Sequence, residues 1–313
     1  MIPVNHPFEL DPGLPALLPG GAGEAALLRR SERHCVYRLE SAGGSCIVKS
    51  FRDPEPLELQ VYTLLERLGV PILPVIARTA RSLALEDLER SPRWRQASEA
   101  DMGRAETGRA VAAWYRRLHE AGFRYLARPE NRPGFLRSWV DEIGVEQAAL
   151  AGEKLGLGGC PGWAGILGDI ERLAARYLSF PQTFNYNDFA SVNLALSRSA
   201  PLQAVVYDYD CFRTGTVYSD WRNVVSALTG EGKLAFQAAF GPVDEQEGLL
   251  DGPLSSLYGL VVAARREKLP GWAVPLIEEA RSGALERSIR LAVGICNSSR
   301  TSGSFRSARV PPR

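Results

Sequence analysis

Asp188 and Asn193 stand five residues apart in FNYNDFASVNLALSR, a polar turn that runs into an apolar, strand-like segment. Asp and Asn are favoured in turns because their side chains bond nearby backbone, so the pair alone carries little weight. Three further residues change that. Lys49 lies in the apolar run CIVKSF, Glu58 in the following segment LELQVYTLLERLG, and Asp208 closes an apolar run, AVVYD. Phosphoryl transfer from a nucleotide asks for these types in this order. A strand-borne Lys pairs with the α- and β-phosphates and is held by a helix Glu. One Asp takes the proton of the attacking hydroxyl, and an Asn and a second Asp hold Mg2+ against the phosphates. The five-residue gap from Asp188 to Asn193 equals the spacing of catalytic-loop Asp and Asn in that chemistry. Each residue alone has an ordinary structural explanation: a strand edge, an exposed helix face, a turn cap. Their joint order is what points to a site.

The elements that must position these residues follow from periodicity. AALLRR, HCVYRLES and CIVKSF alternate as short strands joined by turns, a three-strand meander with Lys49 in its third strand. Leu57, Val61, Leu64, Leu65 and Leu68 recur at helical spacing, with Pro54 and Pro56 before them and Gly69 after, so Glu58 sits on a helix. VPILPVIAR and RSLALEDLER read as two more extended segments, and ETGRAVAAWYRRLHEAG as a helix. Residues 134–180 read as mostly helical, with a break at GLGGCPGWAG that separates two helices. LAL, a turn at SRSAP and QAVVYDYD make a hairpin that carries Asp208, and from Asp220 onward the pattern is helical again. The expected arrangement is a small sheet-rich lobe followed by a larger helical lobe, and pockets are common where such units meet.

Composition narrows the class without naming a partner. The chain has 313 residues, a net charge of +1, 45% hydrophobic and 23% charged residues, near the globular average and without the basic excess of nucleic-acid binders. Cys35, Cys46, Cys160, Cys211 and Cys296 are scattered and odd in number, which indicates neither a disulfide framework nor a zinc site. No apolar run approaches a membrane span, and the N-terminus lacks a basic leader with an apolar core, so the expectation is a cytoplasmic protein with no membrane and no nucleic-acid partner. The Ser- and Arg-rich end, NSSRTSGSFRSARVPPR, reads as a disordered tail.

These motifs together resemble the aminoglycoside phosphotransferase-like family, bacterial relatives of protein kinases that include choline, homoserine, fructosamine and methylthioribose kinases. YNDFASVN stands where family members show H-G-D-x-x-x-x-N, and VVYDYD where they show an apolar strand ending in Asp, an aromatic and a second acid. LALEDLER resembles the hinge between lobes, AAWYRRLHEAG the helix ending in Leu-His, and SDWRN a later Asp-bearing helix start; the likeness runs from about Ala25 to Ile295. It implies an α+β, protein-kinase-like two-lobed fold: residues 1–88 as a nucleotide-side N-lobe, 89–296 as a helical C-lobe, and 297–313 as the tail. It also implies an ATP-dependent phosphotransferase, with GTP as the alternative donor and Mg2+ as cofactor, acting on a small hydroxylated acceptor such as an aminoglycoside, amino alcohol or sugar. By that resemblance Asp188 is the catalytic acid-base residue and Asn193 and Asp208 are the metal ligands, with Asp210 as runner-up. Lys49 and Glu58 form the phosphate-positioning pair, Glu86, Asp87 and Leu88 the adenine-side hinge, and Asp220 braces the catalytic turn.

Two departures stand out. Tyr186 replaces the family's His two residues before the catalytic Asp, with Asn187 between, and RRSERHC has no glycine where protein kinases cover phosphates with a Gly-rich loop, which leaves the backbone or Ser31 to approach the nucleotide. They keep a rival alive: a kinase-like binding or structural module without activity, as in spore-coat relatives of the fold. For the acceptor, Asp141, Glu142 and Glu146 could meet a cation, and Trp139, Trp163, Tyr177 and Trp221 could form an aromatic box, although an exposed helix face and a packed core explain them equally simply. No G-x-S-x-G elbow or histidine triad supports a hydrolase.

Overall fold

The computed structural model describes residues 11–298 except Pro12, Ala22, Arg132, Pro133 and Pro161. The expected meander is present as β1 (Ala25–Arg30), β2 (His34–Ser41) and β3 (Gly44–Phe51). After α1 (Leu57–Arg67) come β4 (Val75–Arg78) and β5 (Ser82–Glu86), which complete an antiparallel sheet of order β1-β2-β3-β5-β4. Strand side chains alternate between faces, and β3 uses both. Cys46 and Val48 pack with Leu39 and Ala84 beneath Leu14 and Leu18, while Phe51 joins Leu83 and Leu85 in the core that includes α1. The N-terminal entry, irregular by sequence, therefore has a packing role: Leu14 and Leu18 flank a short 3-10 turn, Pro15–Leu17, and close the outer face of the sheet. Lys49 shares the α1 face by the same alternation, which is why a charged residue in this strand is buried.

The described residues divide into two compact units. The first comprises those within Met1–Leu136, Thr183–Arg213 and Asp220–Pro242, the second those within Arg137–Gln182, Thr214–Ser219 and from Val243 onward. In the first unit the sheet is followed by β6 (Trp94–Gln96) and α2 (Ala105–Leu126). The second unit then supplies α3 (Val145–Lys154) and α4 (Trp163–Leu178), separated at the Gly-rich break as the sequence predicts. The chain returns to the first unit with β7 (Thr183–Asn185), the turn carrying Asp188, and the hairpin β8 (Leu194–Ser197) and β9 (Ala204–Val206), in which Leu194 faces Val206. β6 adds to this hairpin against β8, a pairing that the polar sequence RSPRWRQAS does not announce. β10 (Arg213–Gly215) and α5 (Val217–Ala227) each begin among the residues of one unit and end among those of the other.

α6 (Gly230–Phe240) packs on α2 in the first unit at a distance only glycine allows: a Cβ on Gly108 would lie 2.1 Å from Gly232 O. Gly122 plays the same part further along α2, where a Cβ would come within 2.4 Å of Phe184 N, so β7 enters the turn that carries Asp188 pressed against the helix. The second unit continues with α7 (Glu245–Ala264), α8 (Ala273–Arg281) and α9 (Ala284–Ser298). Its core is built on helical spacing, with Ile166, Ile170, Leu173 and Tyr177 of α4 clustered with Leu250, Leu254 and Leu257 of α7 and Ile289 of α9. α9 takes in Asn297 and Ser298, the first two residues of the segment read as a tail, and residues 299–313 lie outside the described residues. No helix among the described residues is long and apolar enough to cross a membrane.

Candidate active site

β3 and α1 bring the first two candidates together. Glu58 falls in the first turn of α1 on the face toward the sheet, 1% exposed, and Lys49 Nζ donates to its Oε2. The same ammonium lies 2.9 Å from Asp208 Oδ1 and 3.4 Å from Asp210 Oδ2. Burial works against the ammonium, but the carboxylates of Glu58, Asp208 and Asp210 outweigh it and hold Lys49 above the ordinary lysine value. One oxygen each from these three carboxylates falls within 4.8 Å of the others. Asp210 is thus as close to the cluster as the sequence motif allowed.

The turn after β7 supplies the other two. Asn193 Nδ2 donates to Asp188 Oδ2 at 2.9 Å and to the Asp188 carbonyl at 3.1 Å, so the five-residue spacing closes a small loop on itself. The Asp188 side chain reaches solvent, yet the surrounding protein and then the Asp208 carboxylate push it up to about 6, against the pull of Asn193 and Lys49. That mutual influence places Lys49, Asp188, Asn193, Asp208 and Asp210 in one electrostatic neighbourhood. Positive φ marks two of the neighbours: Asn187 at 62° and Asp208 at 66° are the non-glycine residues with left-handed backbone among those described. Asn and Asp tolerate that region better than other side chains, and such strain gathers at functional sites. Asn187 occupies the position where the resembling motif has glycine, so the type changes while the backbone requirement is met.

Asp220 holds the turn from below. Fully buried, it accepts the backbone N–H of Tyr186 at 3.0 Å and of Asn187 at 3.2 Å, together with Asn185 Nδ2 at 3.1 Å, and lies 2.9 Å from His119 Nε2. The Leu-His pair, expected to end its helix, instead lies inside α2, which runs on to Leu126; it and the SDWRN segment, separate motifs in sequence, meet in this bond. Tyr186, in place of histidine, is buried between Trp114 and Tyr209 and donates its hydroxyl to the carbonyl of Tyr207. That bond and the role of Tyr207 had no sequence signal.

The residues expected to form a hinge stand at and just after the end of β5. Glu86 accepts from Ser91 Oγ and from Arg93 Nη2 at 2.8 Å. Asp87, 2% exposed, accepts from Arg38 Nε at 2.9 Å, Ser45 Oγ at 2.6 Å and the Glu89 N–H at 3.1 Å, while Leu88 packs against the core. Both acidic side chains are engaged by the protein itself. The glycine-free turn between β1 and β2 is shaped by Ser31, whose hydroxyl donates to His34 O and accepts from the Arg33 and His34 amides. Beside it a cavity of about 540 Å³ is lined by Arg33, His34, Phe51, Arg52, Asp210 and Arg213 among others.

The residues weighed for an acceptor are mostly structural. Trp139, Trp163 and Tyr177 are buried in the core of the second unit, so they form no open aromatic box. Asp141 closes a capping box with Ser138, Glu142 pairs with Arg265 at 2.9 Å, and Glu146 lies in the first turn of α3.

An oxygen-rich donor set suits Mg2+, a hard cation that takes carboxylate and amide oxygens. Glu58, Asp208 and Asp210 offer three carboxylate oxygens within 4.8 Å of one another, and Asn193, its nitrogen turned to Asp188, has an amide oxygen of the same hard type to add. The residues present therefore fit the ion.

No protein-family model matches the chain, and no curated protein matches it. Solved structures do. The choline kinase LicA of Streptococcus pneumoniae shares 15% identity, covers 84% of this chain and 93% of its own at a TM-score of 0.58, and its complex with AMP matches at 14% and 0.56, covering 87% and 95%. An ethanolamine kinase of Plasmodium vivax matches at 12% identity, 85% and 83% coverage and a TM-score of 0.55. A macrolide 2'-phosphotransferase of Brachybacterium faecium matches at 14%, 86% and 94%, and 0.54. The chain has the protein-kinase-like fold shared by the small-molecule kinases of the choline kinase and aminoglycoside phosphotransferase group.

Proposed function

We propose that this protein transfers the γ-phosphoryl group of ATP to a hydroxyl of a small molecule, with residues 1–88 as its nucleotide-side lobe and 89–296 as its catalytic lobe. The observation that carries the reading is the convergence of Lys49, Asp188, Asn193 and Asp208, drawn from separate parts of the chain, into one charged neighbourhood. The relative solved with AMP supports a nucleotide as donor.

In this reading Asp188, pushed up to about 6, accepts the proton of the acceptor hydroxyl near neutral pH, while Asn193 keeps its carboxylate oriented. The hydroxyl oxygen forms a bond to the γ-phosphorus as the bond to the β–γ bridging oxygen breaks, and ADP leaves. Lys49, anchored by Glu58, offsets phosphate charge. Asn193 and Asp208, with Asp210 beside them, would hold Mg2+, which when bound neutralises the charge that develops on the transferring group. A base contact from Glu86 to Leu88 would come through main-chain groups, since the acidic side chains there are already bonded.

The test is nucleotide binding by calorimetry with and without Mg2+, for the native chain and Asp208→Ala, followed by phosphate transfer to amino alcohols, aminoglycosides and sugars. Metal-dependent binding that the variant loses is the expected result. A folded chain that binds no nucleotide under any condition would replace this reading with that of a non-catalytic module.

A further inference from the structure

Two tyrosine hydroxyls reach across the site in opposite directions. Tyr186, two residues before Asp188, donates to the carbonyl of Tyr207, and Tyr207 donates to the carbonyl of Val192. Both accepting carbonyls belong to special peptide groups: Tyr207 C=O is in the peptide that leads into Asp208, and Val192 C=O in the peptide that leads into Asn193. Tyr207 also donates its own N–H to Asn193 O at 3.1 Å, so the Val192–Asn193 segment is gripped at two points by one residue.

A planar peptide moves as a unit, so holding its carbonyl sets φ of the residue that follows. Asp208 has φ 66°, a conformation disfavoured for a residue with a Cβ. Without a partner for Tyr207 O, that peptide is free to turn toward negative φ and carry the Asp208 carboxylate off its mark. The ring of Tyr186 keeps its place between Trp114 and Tyr209 with or without the hydroxyl, so a change to Phe removes the bond and leaves the packing.

We infer that Tyr186 and Tyr207 form a reciprocal tie that sets the spacing of Asn193 and Asp208, and with it the affinity of the site for a divalent cation. This rests on the phosphotransferase reading. Neither hydroxyl acts on substrate; both are positioning groups. The pair is this chain's own solution to the absence of histidine at 186.

The experiment measures the Mg2+ concentration that half-saturates nucleotide binding, by titration calorimetry, for the native chain, Tyr186→Phe, Tyr207→Phe and the double variant, alongside nucleotide affinity without metal. Loss of one hydrogen bond is expected to raise the half-saturating Mg2+ roughly 3- to 10-fold in each single variant. The double variant should show less than the product of the two, because both bonds join the turn after β7 to the segment that leads into Asp208. Metal-free nucleotide affinity should stay within about 2-fold, since the ties lead into the cation ligands alone. Tyr209→Phe is the control. Its hydroxyl bonds Val206 O at 2.9 Å, in the neighbouring peptide that leads into neither ligand, so it should lower melting temperature without moving the Mg2+ titration. If Tyr186→Phe does not fold, Tyr207→Phe, whose ring is only partly buried, carries the test. A native chain that binds nucleotide with Mg2+ while both variants titrate like it would overturn the tie alone. A native chain with no Mg2+-dependent binding would overturn the phosphotransferase reading and the tie together.

Discussion

The ammonium of Lys49 lies 2.9 Å from Asp208 Oδ1 and also bonds Glu58, so one cation serves three carboxylates counting Asp210. Lys49→Ala leaves Glu58, 2% exposed at its side chain, without a counter-charge. Removing one partner of a buried ion pair typically costs about 3–5 kcal/mol, and urea denaturation at neutral pH should show a loss of that order. Added Mg2+ should raise the melting temperature of this variant more than that of the native chain, because the divalent ion then meets three carboxylates with no resident cation. Equal shifts would argue against the carboxylate cluster as a cation site.

Asp188 sits above the ordinary aspartate value of 3.8, at about 6, so the folded state disfavours its charged form. The cost is absent below the lower value, grows as pH rises through the folded value, and is constant above it. Asp188→Asn should therefore melt higher than the native chain at pH 7 to 8, with the gap closing toward pH 4, while turnover falls by about 10²- to 10⁴-fold. A variant that loses activity and gains stability is the signature of a strained functional carboxylate.

The same carboxyl sets the pH–rate profile. With Asp188 as proton acceptor, kcat/KM should rise through pH of about 6 and level off above it. A profile flat from pH 5 to 8 would assign proton transfer elsewhere.

Asp220→Ala strips the acceptor from the Tyr186 and Asn187 amides, Asn185 Nδ2 and His119. Each buried donor left unpaired costs about 1–3 kcal/mol, so a stability loss of at least about 3 kcal/mol is expected, with turnover falling as the turn relaxes. Asp220→Asn keeps one acceptor oxygen and should be milder in both respects.

Just past β5, in the segment proposed to face the base, Asp87→Ala releases Arg38 and Ser45. Nucleotide affinity measured without metal should weaken by roughly 3- to 10-fold, about the scale of one ordinary hydrogen bond, as the backbone that these bonds hold relaxes, with the Mg2+ titration unmoved. That is the reverse of the pattern expected for the tyrosine pair, and the two sets together separate base-side from cation-side positioning.

Periodicity in the chain already announced the meander, the helix that carries Glu58, the helical second half and the hairpin that leads into Asp208, although β9 ends at Val206 and Asp208 itself stands beyond the strand in left-handed backbone. Residue type and spacing singled out Lys49, Glu58, Asp188, Asn193 and Asp208. These features are local: a strand or helix exposes its pattern within about ten residues, and the Asp188–Asn193 loop closes within its own turn. The short strand β6 was hidden because a polar three-residue edge has no alternation to read. The Lys49–Asp208 contact spans 159 residues of sequence, the His119–Asp220 contact 101, and the Tyr186–Tyr207 bond 21. Such bonds depend on how elements pack and on which peptide plane a buried hydroxyl happens to meet, and no residue type or spacing encodes that. The sequence by itself determined which chemical groups the site could use; only the tertiary structure decided that Lys49 is shared among three carboxylates, that Asp87 is spent inside the fold, and that the Tyr186 hydroxyl meets the Tyr207 carbonyl, because each is settled by distance in space.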